Sequence, residues 1–158
     1  IESFQQATAT AFGAIFVLLI LYFRGWILPL LVLTPIAMAI VLTFAASSLL
    51  GISLNMANIL MVPLILGLGV DTGIHIVHRH RQTQREGGGQ AMDPAIRRAV
   101  MISGLTTVGT FCSLSLSPHQ GAASIGLLLT IAISLLLVIS LVLMPILLRW
   151  FAPVPSSG

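Results

Sequence analysis

The chain has 158 residues, of which 57% are hydrophobic and only 7% are charged, and its mean hydropathy is +1.08. A soluble domain carries roughly 25% charged residues, so this composition excludes a water-soluble globular domain and indicates a membrane protein. The net charge of +3 is the difference between seven arginines and four acidic residues, and the arginines have no interleaved aromatic residues, which argues against a nucleic-acid partner.

Five long apolar runs follow one another along the chain, each close to the roughly 20 residues that a membrane-crossing helix needs. The predicted helices cover residues 7–23, 27–50, 54–78, 99–117 and 123–148. Residues 79–98 are predicted as a cytoplasmic loop and a surface helix, the latter starting at Asp93-Pro94. The predicted fold is an all-α, polytopic membrane helix bundle in which residues 1–158 form one transmembrane domain.

The arginines predict the orientation of this bundle. Five crossings place Arg24, the 79–98 segment and Arg149 on one side, and these three places hold all seven arginines. The positive-inside rule therefore puts that side and the C-terminus in the cytoplasm, with the N-terminus outside. Five of the arginines can alternatively form a patch that binds anionic membrane lipids; they are Arg79, Arg81, Arg85, Arg97 and Arg98.

Asp71 is the only charged residue inside the third apolar run. Insertion of a carboxylate into the hydrocarbon core of a membrane costs at least about 2.5–3.5 kcal/mol. Asp71 must therefore face protein or water, or be protonated. Such a carboxyl can load and release a proton; the structural alternative is a carboxyl fixed by hydrogen bonds to another helix. Gly67, Gly69 and Gly73 surround it, and their small-residue spacing predicts close helix packing that presses Asp71 against a partner helix.

His75 follows Asp71 by four residues, so the two share a helix face and can exchange a proton. The alternative is an ordinary histidine near the membrane surface. A metal site of Asp71, His75 and His78 is disfavoured because a fourth ligand is absent.

The fourth helix carries a stripe of small hydroxyl residues predicted to face other helices. Packing alone explains such a stripe, but Thr106 or Thr107 can also hydrogen-bond Asp71 and support proton transfer. The members of the stripe are Ser103, Thr106, Thr107, Thr110, Ser113 and Ser117.

The stretch GLGVDTGIHIVHR at 67–79 resembles the tenth-helix motif of resistance-nodulation-division (RND) permeases, in the branch of the mycobacterial large membrane proteins (MMPL) and the hopanoid exporters. The flanks agree: GISLN at 51–55, Arg97-Arg98 leading to GLTT at 104–107, and SPHQGAASIG at 117–126. Many mycobacterial-type members have Asp-Tyr where this chain has Asp71-Thr72, which makes the hopanoid-exporter-like branch the closer match.

This resemblance implies that the chain is helices eight to twelve of a twelve-helix permease of the bacterial inner membrane. Its first partner is then the missing N-terminal half, and a homo-oligomer is compatible with the sequence. The resemblance further implies that proton transfer at Asp71 drives export of lipid or other hydrophobic substrates, which include hopanoid-like compounds. The proton gradient supplies the energy, and no cofactor is expected. The N-terminus of the chain is then periplasmic.

Two other function classes compete with this one. A sterol-sensing-type or scaffolding domain would bind lipid without pumping. An intramembrane aspartyl protease is disfavoured because it needs two carboxyls that share a proton, and no second acid lies in any apolar run. The expected protein is therefore not an enzyme.

Overall fold

A computed structural model of the chain describes residues 2–52, 61–85 and 94–151, which form five α-helices and no strand. The predicted all-α fold class is confirmed for these ranges. The helices are α1 (Glu2–Phe23), α2 (Ile27–Leu49), α3 (Met61–Arg85), α4 (Pro94–Ser115) and α5 (Gln120–Phe151).

Three of the helices in the described ranges are long and apolar enough to cross a membrane. They are Ile27–Leu49, the Met61–Gln82 part of α3, and Gln120–Phe151. The apolar part of α1, Phe12–Phe23, is shorter, and α4 combines two arginines with many hydroxyl residues. The crossings by α1 and α4 therefore stay predictions.

The predicted limits of the third and fourth helices need correction. Helix α3 continues to Arg85, and α4 runs without a break from Pro94, so residues 79–85 and 94–98 are helical instead of loop and separate surface helix. Long polar side chains such as arginine and glutamine have good helix propensity, and proline is favoured in the first helical turn. The predicted start of the third helix and the Asp93 cap lie outside the described residues.

Helices α1 and α2 both end in a tight turn with a residue of positive φ. Arg24 has a positive φ of 52°, and its N–H donates to the carbonyl oxygen of Ile20 over 2.8 Å. At the end of α2, Gly51 has a φ of 65°, and the N–H of Ile52 donates to the carbonyl oxygen of Ser47 over 2.9 Å. The second arrangement is a glycine-terminated Schellman motif, which satisfies carbonyls that the helix leaves open.

Helices α2, α3 and α5 share the core, and glycines on α3 set its distance from α2. A Cβ added to Gly69 would lie 2.5 Å from Cγ1 of Ile36, and one added to Gly73 would lie 2.5 Å from Cγ1 of Val32. Because position 36 meets 69 and position 32 meets 73, the two helices are antiparallel. Residues buried in this core include Val32, Ile36, Ile65, Leu66, Leu129 and Leu136.

Helix α4 packs mainly against α5, and none of its residues is buried. Its hydroxyl stripe does not face other helices along its whole length, because Thr106, Thr110 and Ser113 are exposed. Their hydroxyls donate to carbonyl oxygens of the same helix, as from Thr106 to Ile102 over 2.8 Å and from Thr110 to Thr106 over 3.0 Å. Hydroxyls that bond within their own helix need no partner helix, which is the reason for the difference from the prediction.

Candidate functional site

Asp71 lies near the middle of the candidate membrane span Met61–Gln82. Eleven residues separate it from Gln82, or about 16 Å at 1.5 Å per residue, which is roughly half the thickness of a hydrocarbon core. A charge at this depth needs either water or a polar partner.

The polar partner of Asp71 is His75, one helical turn away. Nε2 of His75 lies 3.4 Å from Oδ1 of Asp71, and the two side chains are 72% and 74% exposed, respectively. The pair is therefore accessible and not enclosed by the described helices. A small side-chain rotation or one bridging water brings the two groups within hydrogen-bond range for proton transfer.

Both residues line a cavity of about 480 Å³ between α3, α4 and α5. One wall is a polar face of α3, which also carries Thr72, Arg79 and Gln82. These residues recur at helical spacing from Asp71, so one face of α3 presents polar side chains from mid-span to the arginine-bearing end. The volume has room for on the order of ten water molecules, and the polar wall offers them partners.

The other two walls explain why the cavity stays open. Helix α4 contributes small side chains and α5 an apolar back wall. The lining residues of α4 are Ala95, Ile96, Ala99, Val100, Ser103, Gly104 and Thr107; those of α5 are Ile133, Leu136 and Leu137. Gly104 brings α4 onto α5, since a Cβ there would lie 2.5 Å from Cδ1 of Leu137. With α4 held against α5, small residues are left facing α3 across the gap.

The structure brings together three of the four residues that the sequence singled out for proton transfer: Asp71, His75 and Thr107 line the same cavity. The hydroxyl of Thr107 donates to the carbonyl oxygen of Ser103 over 3.0 Å, so it does not donate to Asp71 in this conformation. Thr106 is not among the residues that line the cavity, and its hydroxyl bonds within α4. Of the two threonines, Thr107 alone is placed for a role at Asp71.

The glycines around Asp71 do not press it against a neighbouring helix, in contrast to the expectation from the sequence. Gly69 and Gly73 face α2, whereas Asp71 is two residues from each and so about 200° around the helix, on the opposite side. Gly67 has no atom within 4 Å of where a Cβ would stand. The close approach of α2 instead fixes α3 so that Asp71 faces away from the core.

Arg79 and Gln82 line the cavity, although their sequence pattern predicts a loop. The available signal was the spacing of four residues from Asp71 to His75 and again to Arg79, which would have extended the helix. The side-chain nitrogen Nη1 of Arg79 donates to Oε1 of Gln82 over 3.2 Å. His78 lies outside the cavity, and in the described ranges no group of three potential metal ligands occurs.

The fold and the cavity define a polytopic α-helical membrane protein with an ionisable pair in the middle of a candidate membrane span. The chain belongs to the MMPL family, whose sequence profile matches residues 2–155. This finding confirms the resemblance described above.

Three relatives match most of the chain. A putative membrane protein of Methanocaldococcus jannaschii is 36% identical over 91% of the chain. The hopanoid transporters HpnN of Rhodopseudomonas palustris and Burkholderia multivorans are 38% and 33% identical over 91% and 93% of it. The chain spans 38% of the length of the first relative and 16% of each hopanoid transporter. No solved structure matches the chain.

Proposed function

We propose that the chain is part of a proton-coupled transporter that exports lipid or other hydrophobic substrates such as hopanoids. Membership of the MMPL family and the two relatives named as hopanoid transporters support the substrate class. The observation that carries the coupling is the Asp71–His75 pair, which is exposed to a cavity near mid-span. In this proposal the protein is a secondary transporter and not an enzyme, and it needs no cofactor.

In the proposed cycle, the carboxylate of Asp71 takes up a proton from the outer side and becomes neutral. The proton then passes to Nε2 of His75, directly or through cavity water, and leaves along the polar face of α3. Arg79 lies one turn beyond His75 on this face, so the proposed path ends at the arginine-bearing end of α3.

The charge of Asp71 can drive a conformational change because it alters the cost of placing this part of α3 in an apolar environment. A neutral carboxyl tolerates lipid or a packed helix, whereas a carboxylate requires water or a cation. Protonation thus shifts the balance between two arrangements of the helices.

We further propose that the arginine-bearing end of the bundle faces the cytoplasm, with the protein in the bacterial inner membrane and its N-terminus in the periplasm. The contacts of Tyr22 with His78 and of Phe23 with Arg81 place the end of α1 beside the end of α3. Arg24 and Arg81 therefore lie at the same end of the bundle. In the complete permease, the chain would pack against a second six-helix half that covers the exposed Asp71.

A reconstituted transport assay tests this function. Full-length protein in proteoliposomes should move a hopanoid when a proton gradient is imposed, and a protonophore should stop the movement. A lipid-binding domain of the sterol-sensing type, which does not pump, would instead leave hopanoid distribution unaffected by the gradient. That second result would contradict the proposal.

Substitution of His75 tests the relay separately from the carboxyl. We expect His75→Gln to slow proton-driven transport by on the order of 100-fold, because glutamine cannot accept and release a proton and water must bridge the gap. His119→Gln is the matched control, since His119 is exposed in the turn between α4 and α5, outside the cavity. Transport by His75→Gln at the control rate would exclude His75 from the path.

A further inference from the structure

The place where α1 meets α3 carries aromatic and cationic side chains that the proposed proton path does not use. The hydroxyl of Tyr22 lies 3.5 Å from Nδ1 of His78, and the guanidinium carbon of Arg81 lies 5.6 Å from the centre of the Phe23 ring. Arg24 follows Phe23 directly. We call Tyr22, Phe23, Arg24, His78 and Arg81 the α1–α3 corner.

The positive charge of this corner is not neutralised by the described part of the chain. There, the only ion pair within 4.0 Å joins Asp71 and His75, and neither Arg24 nor Arg81 pairs with a carboxylate. Both arginines are exposed. Two exposed cations at one helix junction attract an anion from outside these helices.

The contact with Phe23 holds Arg81 by its charge. A cation–π contact uses the positive charge of the guanidinium group and none of its N–H donors. Those donors match the oxygens of a phosphate group, which arginine binds in a bidentate manner. Phe23 is buried and its ring also packs edge-on against Tyr22, so the platform under Arg81 is fixed.

An apolar stripe leads from the corner along α1. Leu18, Leu21 and Tyr22 are 64%, 67% and 55% exposed, and Leu18 and Tyr22 share one helix face. Beyond Arg24, the exposed Trp26 is of the type that lies at membrane interfaces. A ligand with a phosphate at one end and a hydrocarbon chain at the other would contact both the arginines and the stripe. A soluble phosphate would leave the stripe unused.

We propose that the α1–α3 corner binds the headgroup of an anionic phospholipid, with an acyl chain along Leu18 and Leu21. The proposed orientation places this lipid in the cytoplasmic leaflet. The binding itself does not depend on transport. The site is separate from the cavity, because none of its five residues lines the cavity.

Native mass spectrometry of the full-length protein tests the site. The protein is released from nanodiscs that contain phosphatidylcholine and phosphatidylglycerol in equal amounts, and the retained lipid is identified. We expect wild-type protein to retain phosphatidylglycerol preferentially. Each of Arg24→Gln and Arg81→Gln should lower that preference about five-fold, since an arginine near an anionic membrane surface contributes about this factor.

The single variant Arg149→Gln is the matched control, because it removes the same charge from an exposed position on α5. It should keep the preference, and Arg24→Lys/Arg81→Lys should keep most of it if the variants fold. Equal loss in the control would mean that only total charge matters and would overturn the site. Equal retention of the two lipids by wild-type protein would overturn it as well. Displacement of the bound lipid by inorganic phosphate would also overturn it, because the site would then bind the phosphate ion and not a lipid.

Discussion

Replacing Asp71 with Asn is expected to abolish proton-driven transport while the protein still inserts and folds. Asparagine has nearly the shape of a protonated aspartic acid but cannot release a proton, so the helices stay in the arrangement that belongs to the neutral state. Asp71 lies on an exposed face of α3, opposite the α2 contact, so the substitution leaves the core unchanged. The rate of hopanoid movement in proteoliposomes measures the effect.

The conservative variant Asp71→Glu separates loss of the proton-binding group from a shape effect. It keeps a carboxyl on the same helix face and should retain part of the transport. Thermal unfolding and elution from a sizing column should be the same for both variants and wild-type protein. Wild-type transport by Asp71→Asn would remove the basis of the proposed coupling.

Gly126→Ala is expected to destabilise the packing of α4 on α5 by about 1–3 kcal/mol. A Cβ at position 126 would meet the backbone nitrogen of Ser115, lie 2.7 Å from the carbonyl carbon of Leu114 and lie 2.9 Å from the carbonyl oxygen of Phe111. These are backbone atoms at the end of a helix and cannot rotate away as a side chain does. The helices must separate, which lowers the thermal unfolding temperature.

Gly109→Ala is the matched control for that substitution. Gly109 lies within α4, and nothing stands within 4 Å of where its Cβ would be. Alanine is the better helix former, so this variant should be as stable as wild-type protein or slightly more stable. If both variants unfold at the wild-type temperature, the close contact at Gly126 does not occur in the membrane.

The sequence predicted an all-α chain with five helices because long, nearly charge-free runs are conspicuous in it. Asp71 and His75 could be found for the same reason: an ionisable residue is conspicuous in an apolar run, and a spacing of four residues puts the second on the same helix face. The end of α3 was missed because residues 79–85 are polar, and polarity alone does not distinguish a loop from a helix that leaves the membrane.

The partners of each helix face could not be predicted from one sequence. Gly69 and Gly73 were correctly seen as small residues four apart, but the sequence does not say that α2 occupies that side. For the same reason Thr106 and Thr107 were equivalent candidates until the packing of α4 placed only Thr107 in the cavity. The Arg81–Phe23 contact joins residues 58 positions apart and has no local signal.

Infrared difference spectroscopy tests the central claim, that Asp71 binds and releases the transported proton, most directly. A rapid pH change applied to full-length protein in a lipid film shows the carbonyl stretch of any carboxyl group that changes its protonation state. The proposal predicts a band that shifts in heavy water and disappears in Asp71→Asn, but remains in His119→Gln. A band of unchanged size in Asp71→Asn would contradict it.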